Sequence, residues 1–181
     1  VSKEDDVFRV VFAGQMSLRK GVQYLLQAFA ELSLPDAELW LLGTMRSEMQ
    51  PFFDKYEDSF RHFGHIPQPE LNKYYSQCSV FAIPSIEEGM AYVQAQAMAC
   101  GLPLICTTNT GGEDFIREGE EGFVIPIRDV DALKERIIWC YENQEKCTSM
   151  GKKAKSNVRE KYTWHDYGDR ITESYFNILK N

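Results

Sequence analysis

The sequence has no cysteine or histidine pattern that is typical of a disulfide scaffold or a zinc site. Its 181 residues include five cysteines and three histidines, but no CxxC pair and no zinc-ligand spacing between the two residue types. An odd number of cysteines, three of them in apolar contexts, indicates reduced and buried thiols in a cytosolic compartment. These cysteines are Cys78, Cys100, Cys106, Cys140 and Cys147.

Positive charge is scarce, and long apolar runs are missing. Lys and Arg together number 20 against 27 Asp and Glu, which gives a net charge of -7 and a pI near 5.1. Because nucleic-acid-binding domains are usually basic, this balance argues against a nucleic-acid partner, although it allows one local basic pocket. The apolar runs are too short for a signal peptide or a membrane span. We therefore expect a cytoplasmic protein.

Two common glycine-rich phosphate motifs are also missing. The loop at residues 14–21 matches neither the GxGxxG of dinucleotide-binding folds nor the GxxxxGK[ST] of P-loops. NAD-dependent chemistry and ATP hydrolysis therefore lose support. No paired-aspartate motif is present that would hold a metal ion across two phosphates, so we expect neither a metal nor a cofactor.

The sequence does contain short apolar runs that alternate with helical patterns. This alternation predicts one α/β domain over residues 1–181, with a parallel sheet of about six strands and helices on both faces. The chain opens on Val1 rather than on methionine, and we expect it to be a piece of a longer protein. Strands are predicted at 8–13, 38–42, 60–64, 79–83, 103–107 and 122–127. Helices are predicted at 20–34, 48–56, 69–77, 89–100 and 113–117, from Asp129 onward, and over 145–180 with a break near Thr163.

The loops that follow the strands are rich in glycine, hydroxyl groups and cations. In a parallel sheet, ligands bind outside the carboxyl ends of the strands, where these loops meet. The positive end of a helix dipole can bind a phosphate, yet two carboxylates, Glu87 and Glu88, precede the predicted helix that starts at Gly89 and would repel one. Lys20 would bind a diphosphate together with this helix start. The alternative interpretation is that Arg19 and Lys20 are a solvated surface pair.

Six segments, in this order, resemble the glycosyltransferase group 1 family. They are FAGQMSLRKGVQYLLQAF, ELWLLG, GHIPQPELNKYYSQCSVFAIPS, EEGMAYVQAQAMACGLPLI, TGGEDFI and GEEGFVIPIRDVDAL. This family comprises retaining enzymes with two Rossmann-like domains, the GT-B architecture. The resemblance covers nearly the whole chain and falls on the C-terminal, donor-binding domain. It implies that the N-terminal acceptor domain is absent from this chain.

The family signature is a glutamate, seven residues, and a second glutamate, and here those positions hold Glu88 and Gln96. The resemblance implies that Glu88 contacts hydroxyls of the donor sugar and that Gln96 holds the ribose diol. Glu87 would face solvent or lie behind the residues that contact the donor. Backbone N–H groups at Gly89, Met90 and Ala91 would face the diphosphate.

The chain departs from the family at two positions. The family commonly has arginine after the first-strand glycine, whereas this chain has Gln15 after Gly14, and its second signature glutamate is replaced by Gln96. Lys20 is kept and is expected to be catalytic together with Glu88. Arg19 could replace the missing cation, but adjacent side chains at a helix start are expected to diverge. The resemblance further places His65 and Ile66 beside the nucleobase, Gly43 and Thr44 near the base or ribose, and Thr110, Gly111 and Gly112 at the sugar. The alternative for His65 is a loop residue that packs on the strand end.

The resemblance implies a retaining glycosyltransferase that takes a UDP-, GDP- or ADP-linked sugar and transfers it to an acceptor sugar or lipid-linked glycan. The full-length enzyme would be cytoplasmic, either free or peripheral to the inner face of the membrane. The alternative interpretation is a nonenzymatic nucleotide-binding or regulatory module that kept the fold, and Gln15 and Gln96 are the features in its favour. A related epimerase or phosphorylase is a third interpretation, but no local context suggests a lysine that holds pyridoxal phosphate. The family's last helix packs on the N-terminal domain, and residues 163–180, which begin with Thr163-Trp164, correspond to it.

Overall fold

A computed structural model describes residues 3–179 of the chain. Its core is a six-stranded parallel sheet, as the sequence predicts. The strands are β1 (Phe8–Ala13), β2 (Ala37–Leu42), β3 (Arg61–His62), β4 (Val80–Ile83), β5 (Leu104–Thr107) and β6 (Gly122–Ile125). Their spatial order is β3-β2-β1-β4-β5-β6. This order is that of a doubly wound α/β fold.

Seven α-helices accompany the sheet within the described residues. They are α1 (Val22–Leu32), α2 (Gln50–Lys55), α3 (Leu71–Tyr75), α4 (Tyr92–Ala99), α5 (Val130–Glu142), α6 (Gln144–Lys161) and α7 (Trp164–Leu179). Helix α1 packs against α5, and α4 packs against α6. Every residue of β1, β4 and β5 is buried. Because alternate residues of a strand point to opposite faces, both faces of the central sheet are covered.

The predicted strand bounds agree with the structure to within one or two residues, except at the edge of the sheet. The strand predicted at 60–64 is reduced to the two exposed residues of β3. Helix α5 begins where the sequence predicts, because the Asp129 carboxylate accepts a hydrogen bond of 2.8 Å from the Ala132 N–H. The predicted break near Thr163 is also present, between the end of α6 and the start of α7.

Four predicted helices, at 20–34, 48–56, 69–77 and 89–100, begin two or three residues later in the structure, and the helix predicted at 113–117 is absent. The helix predicted at 89–100 begins at Tyr92, because Ala91 is extended and residues 84–91 form a loop. The helix predicted at 20–34 begins at Val22, after a 3₁₀ turn (Leu18–Lys20) that Gly21 ends in the left-handed region. The helix predicted at 113–117 is only a 3₁₀ turn, Gly112–Asp114.

Helix α7 leaves its large apolar side chains exposed. The sequence predicts an apolar stripe here that needs a partner surface, and the structure shows no buried residue on this helix within Trp164–Leu179. The last residue of the predicted segment, Lys180, lies outside the described residues. The exposed side chains are Trp164, Tyr167, Ile171, Tyr175, Phe176, Ile178 and Leu179. None of the helices in the described part of the chain combines the length and hydropathy needed to cross a bilayer.

Candidate functional site

The site begins where the order of the sheet reverses. Strands β1 and β4 are neighbours, but the chain runs from β1 through β2 to one side and from β4 through β5 to the other. The loops at the carboxyl ends of two such strands enclose a crevice. Here these loops are residues 14–21 after β1 and residues 84–91 after β4, and the loop after β5, residues 108–112, borders them.

Lys20 and Glu88 meet across this crevice. The Lys20 ammonium group donates a hydrogen bond to Glu88 Oε2, and the two side chains are only 17% and 16% exposed. The structure therefore brings together the two residues that the sequence predicts to be catalytic. A partly buried pair of this kind interacts more strongly than a surface pair, which argues against the interpretation of Lys20 as a solvated surface cation.

Arg19 turns toward the same carboxylate, so the expected divergence of Arg19 and Lys20 is wrong. Arg19 Nη1 lies 3.7 Å from Glu88 Oε1 and donates a hydrogen bond of 2.8 Å to the carbonyl of Glu87. The Ile86 N–H in turn donates to the carbonyl of Arg19 at 2.9 Å. The two side chains converge because the loop after β4 passes beside this 3₁₀ turn and is hydrogen-bonded to both the backbone and the guanidinium group of Arg19. Glu87 is exposed, as predicted.

The loop after β5 is fastened to the loop after β4. The Glu88 N–H donates to the carbonyl of Asn109 at 2.8 Å, and the Asn109 side-chain amide donates to the carbonyl of Ile86 at 2.9 Å. Gly111 lies directly beside Gly89, since a Cβ built on Gly111 would be 3.1 Å from the Gly89 carbonyl oxygen. These contacts bring two predicted site glycines, together with the exposed Met90 that follows Gly89, to the same edge as Glu88. Ala91, at the end of this loop, is buried.

The loops after β1 and β2 continue the strand pairing past the ends of the strands. The Met16 N–H donates to the carbonyl of Thr44 at 2.8 Å, and the Arg46 N–H donates to the carbonyl of Met16 at 3.0 Å. Gly43 has a φ of 132°, and a Cβ on it would lie 2.0 Å from the carbonyl oxygen of Gly14. Only glycine allows the two backbones to approach this closely.

This extension presents a polar face that includes Arg46, a cation in one of the predicted loops, to which no role was assigned from the sequence. Gln15, Thr44 and Arg46 are all exposed, whereas Met16 is fully buried. Arg46 Nη1 donates to Gln15 Oε1 at 3.5 Å. Strand periodicity places positions 44 and 46 on one face, so extending the strand pattern beyond Gly43 would have assigned Arg46 to this face.

The remaining predicted residues are more dispersed. Gln96 lies on α4, and its buried Oε1 has no hydrogen-bond partner among residues 3–179. His65 is exposed, while Ile66 is half-buried and packs against the core. The sequence missed His62, whose Nε2 lies 2.8 Å from the carbonyl oxygen of Gly43. Trp164 is 76% exposed, and its ring centroid lies 6.1 Å from that of Tyr92.

Comparison with known proteins decides the family. The profile of the family described as glycosyl transferases group 1 matches residues 1–157. The chain belongs to the group 1 glycosyltransferases. A GDP-mannose-dependent mannosyltransferase of Corynebacterium glutamicum, which acts on a monoacylated phosphatidylinositol monomannoside, is 26% identical over 90% of this chain and 44% of its own length. A glycosyltransferase of Methanocaldococcus jannaschii without an assigned function is 26% identical over 99% of this chain and 46% of its own length.

Solved structures agree with this assignment. Sucrose-phosphate synthase from Thermosynechococcus elongatus superposes with a TM-score of 0.86 and 26% identity, covering 97% of this chain and 46% of that one. This group 1 glycosyltransferase chain therefore spans somewhat less than half the length of the curated relatives it matches.

A buried polar cluster lies beneath Gly112, and of its residues the resemblance placed only Thr110 at the sugar; the structure buries the Thr110 side chain instead. Gln94 and Thr110 are fully buried, and the Gln94 amide nitrogen donates to the carbonyl of Thr110 at 2.9 Å. The Cys106 thiol lies under Gly112, and burial raises the pKa of this thiol to about 12. Cys106 is therefore protonated at neutral pH and is not a nucleophile.

The cysteines of this family member otherwise lie away from the crevice. All five are free thiols, and four of them are buried. A cavity of about 230 Å³ at the opposite, amino-terminal edge of the sheet is lined in part by Cys78, Cys100, Cys140 and Cys147. Within residues 3–179, no three His, Cys, Asp or Glu side chains are grouped so that they could hold a metal ion.

Proposed function

We propose that this chain is the donor-binding domain of a retaining glycosyltransferase. It binds a nucleoside diphosphate sugar at the crevice between the loops after β1 and β4, and the sugar passes to an acceptor held by a second domain. The observation that carries this proposal is the Lys20–Glu88 pair across the crevice. When a donor binds, the cation can contact its diphosphate and the neighbouring carboxylate can contact its sugar.

The charges fit the chemistry of sugar transfer. As the bond between the sugar and the diphosphate breaks, the sugar gains oxocarbenium character and the leaving diphosphate gains negative charge. Fixed cations beside the leaving group lower this barrier. Lys20 serves this role, and Arg19 and Arg46 add positive charge on either side. Glu88 accepts hydrogen bonds from sugar hydroxyls, which fixes the orientation of the ring.

Gln96 supports the assignment of the nucleotide side. Its buried Oε1 finds no partner in the described part of the chain, and a buried acceptor without a partner is costly. A ribose diol offers hydroxyl donors that would satisfy it. The substitution of the family's glutamate by Gln96 therefore changes the charge at this position but keeps the ability to accept a hydrogen bond.

For the nucleobase of the donor and for the acceptor, we propose a chemical class and not a single compound. The corynebacterial relative is named for GDP-mannose and a phosphatidylinositol mannoside. By analogy, we propose a UDP-, GDP- or ADP-linked sugar as the donor and an acceptor sugar or lipid-linked glycan. The exposed apolar side chains of α7 would pack against the acceptor domain, since an apolar face of this size needs a partner surface.

Calorimetric titration of the chain tests this proposal. We expect binding of at least one of UDP, GDP and ADP, and of the matching glucose or mannose ester, with affinity that persists in EDTA. The corresponding nucleosides should bind more weakly, because they lack the phosphates that the cations recognise. If none of the six ligands binds, the proposed function is wrong. Binding with no sugar transfer in the complete enzyme would instead favour the nonenzymatic nucleotide-binding module.

A further inference from the structure

A fully buried glutamine on α4 organises the loop after β5. Gln94 is 0% exposed, and its amide nitrogen donates to the carbonyl of Thr110 at 2.9 Å. The Thr110 hydroxyl donates to the carbonyl of Thr107 at 2.8 Å and accepts a hydrogen bond of 3.3 Å from the Gly112 N–H. The side chain of Gln94 is thus hydrogen-bonded to Thr110, and the hydroxyl of Thr110 joins both ends of the turn from Thr107 to Gly112.

The loop is also packed tightly around this amide. A Cβ built on Gly112 would lie 2.8 Å from Gln94 Oε1 and 2.3 Å from Cys106 Sγ. The turn can take this path only because Gly112 has no side chain. A buried amide that is satisfied by one specific backbone carbonyl fixes that carbonyl in place, since losing the bond would leave two polar groups unpaired.

The same loop faces Glu88. The carbonyl of Asn109 accepts from the Glu88 N–H at 2.8 Å, and Gly111 lies beside Gly89. Any shift of Thr110 is therefore transmitted to the backbone that carries Glu88. Gln94 itself lies beneath this surface and does not reach the crevice.

We propose that Gln94 is a positioning residue that holds Thr110, Gly111 and Gly112 against α4, so that the two glycines border the donor sugar opposite Glu88. This inference rests on the proposed function, because it assigns a part of the same site. It predicts that Gln94 matters for the sugar portion of the donor and not for the nucleoside diphosphate.

The isosteric variant Gln94→Glu tests the proposal. In its ionised form the introduced carboxyl cannot donate to the carbonyl of Thr110, and two oxygens then face each other. The protonated form restores a donor, and burial favours protonation. The variant should therefore lose affinity for the sugar nucleotide at about pH 9 and recover most of it at about pH 6, relative to the unchanged chain at each pH.

The measurement compares UDP with UDP-glucose, GDP with GDP-mannose and ADP with ADP-glucose on the same samples. At the higher pH we expect roughly tenfold weaker binding of the sugar nucleotide, and less than about twofold for the nucleoside diphosphate. Gln50→Glu, which introduces the same charge at an exposed position on α2, is the matched control and should change neither. Equal losses for both ligands, or no loss at either pH, would overturn the proposal.

Hydrogen exchange without any ligand gives a second and independent readout. At about pH 9, the amide of Gly112 should exchange faster in the Gln94→Glu variant than in the unchanged chain at the same pH, while the amides of α1 keep their protection. Unchanged exchange at Gly112 would also overturn the proposal. If the unchanged chain binds none of the nucleotides while Gly112 responds as expected, the proposed function fails and the structural role of Gln94 remains.

Discussion

The ammonium group of Lys20 is hydrogen-bonded to the carboxylate of Glu88, and this pair joins the loop after β1 to the loop after β4. Each group is the counter-ion of the other in the chain alone. A donor that brings a diphosphate and a sugar offers a new partner to each of them. Removal of Glu88 leaves Lys20 partly buried without this carboxylate, and removal of Lys20 leaves Glu88 with only the longer contact of 3.7 Å to Arg19. Single substitutions here should therefore change donor binding.

Lys20→Ala should weaken the binding of a nucleoside diphosphate far more than that of the nucleoside. The substitution removes a charge-assisted contact of about 1.5–3 kcal/mol, or roughly 10- to 150-fold in affinity. Glu88, which would then keep only its longer contact with Arg19, would repel the phosphates and increase this loss. Calorimetric titration measures both ligands, and Lys73→Ala, an exposed lysine on α3, is the control. Equal losses for nucleoside and diphosphate would show that Lys20 acts through folding.

Substitutions at the two signature positions should separate the sugar from the nucleotide. Glu88→Gln should reduce the affinity for the sugar nucleotide and leave that for the free nucleotide nearly intact, because a neutral amide is a weaker acceptor for sugar hydroxyls. Gln96→Ala should reduce the affinity for the free nucleotide, since it removes the hydrogen-bond acceptor for the ribose diol. Titration of both variants with both ligands checks this, and the reverse pattern would mean that the two roles are exchanged.

The contact between Gln15 and Arg46 predicts that the positive charge can be moved from one loop to the other. Arg46→Gln should reduce the affinity for the nucleoside diphosphate by about tenfold, because one charged hydrogen bond to the ligand is lost. The double variant with Gln15→Arg and Arg46→Gln should recover most of this affinity, because the two side chains are 3.5 Å apart. Arg61→Gln, an exposed arginine on β3, serves as the control. No loss in Arg46→Gln would remove Arg46 from the site.

Helix α7 should open more readily than α4 in the chain alone. The described part of α7 buries no side chain, whereas Gln94, Ala97 and Met98 of α4 are buried. Local opening costs less where few apolar contacts are lost. Hydrogen exchange should therefore be faster after Tyr175 than in α4. Similar protection in the two helices would indicate that α7 has found a partner surface, such as a second copy of the chain.

The apolar periodicity was sufficient to predict the sheet and most strand bounds. Runs such as Val80–Ile83 are continuous and buried on both faces, and parallel strands of this kind stand out in a sequence. Helix starts were less predictable. The helix predicted from Gly89 begins at Tyr92, because Ala91 is extended. The loop before it is hydrogen-bonded through Ile86 and Glu88 to Asn109, which is distant in the sequence.

The sequence predicted only part of the site, because much of it depends on contacts between loops that are distant in the sequence. The resemblance to the family brought out Lys20 and Glu88, which the structure joins. It did not bring out Arg46, Gln94 or His62, because their roles depend on contacts between separate loops that no local pattern records. The convergence of Arg19 on Glu88 was missed because it depends on the path of the loop after β4, which is distant from Arg19 in the sequence.

The most direct test is to map backbone amide chemical shifts of the chain during titration with the sugar nucleotide that binds. The largest changes should fall in residues 14–21, 84–91 and 108–112, and the response in residues 14–21 should fall strongly in Lys20→Ala. Changes centred instead on the amino-terminal edge of the sheet, near Ser79 and Cys147, would contradict the proposal that the crevice between the loops after β1 and β4 binds the donor.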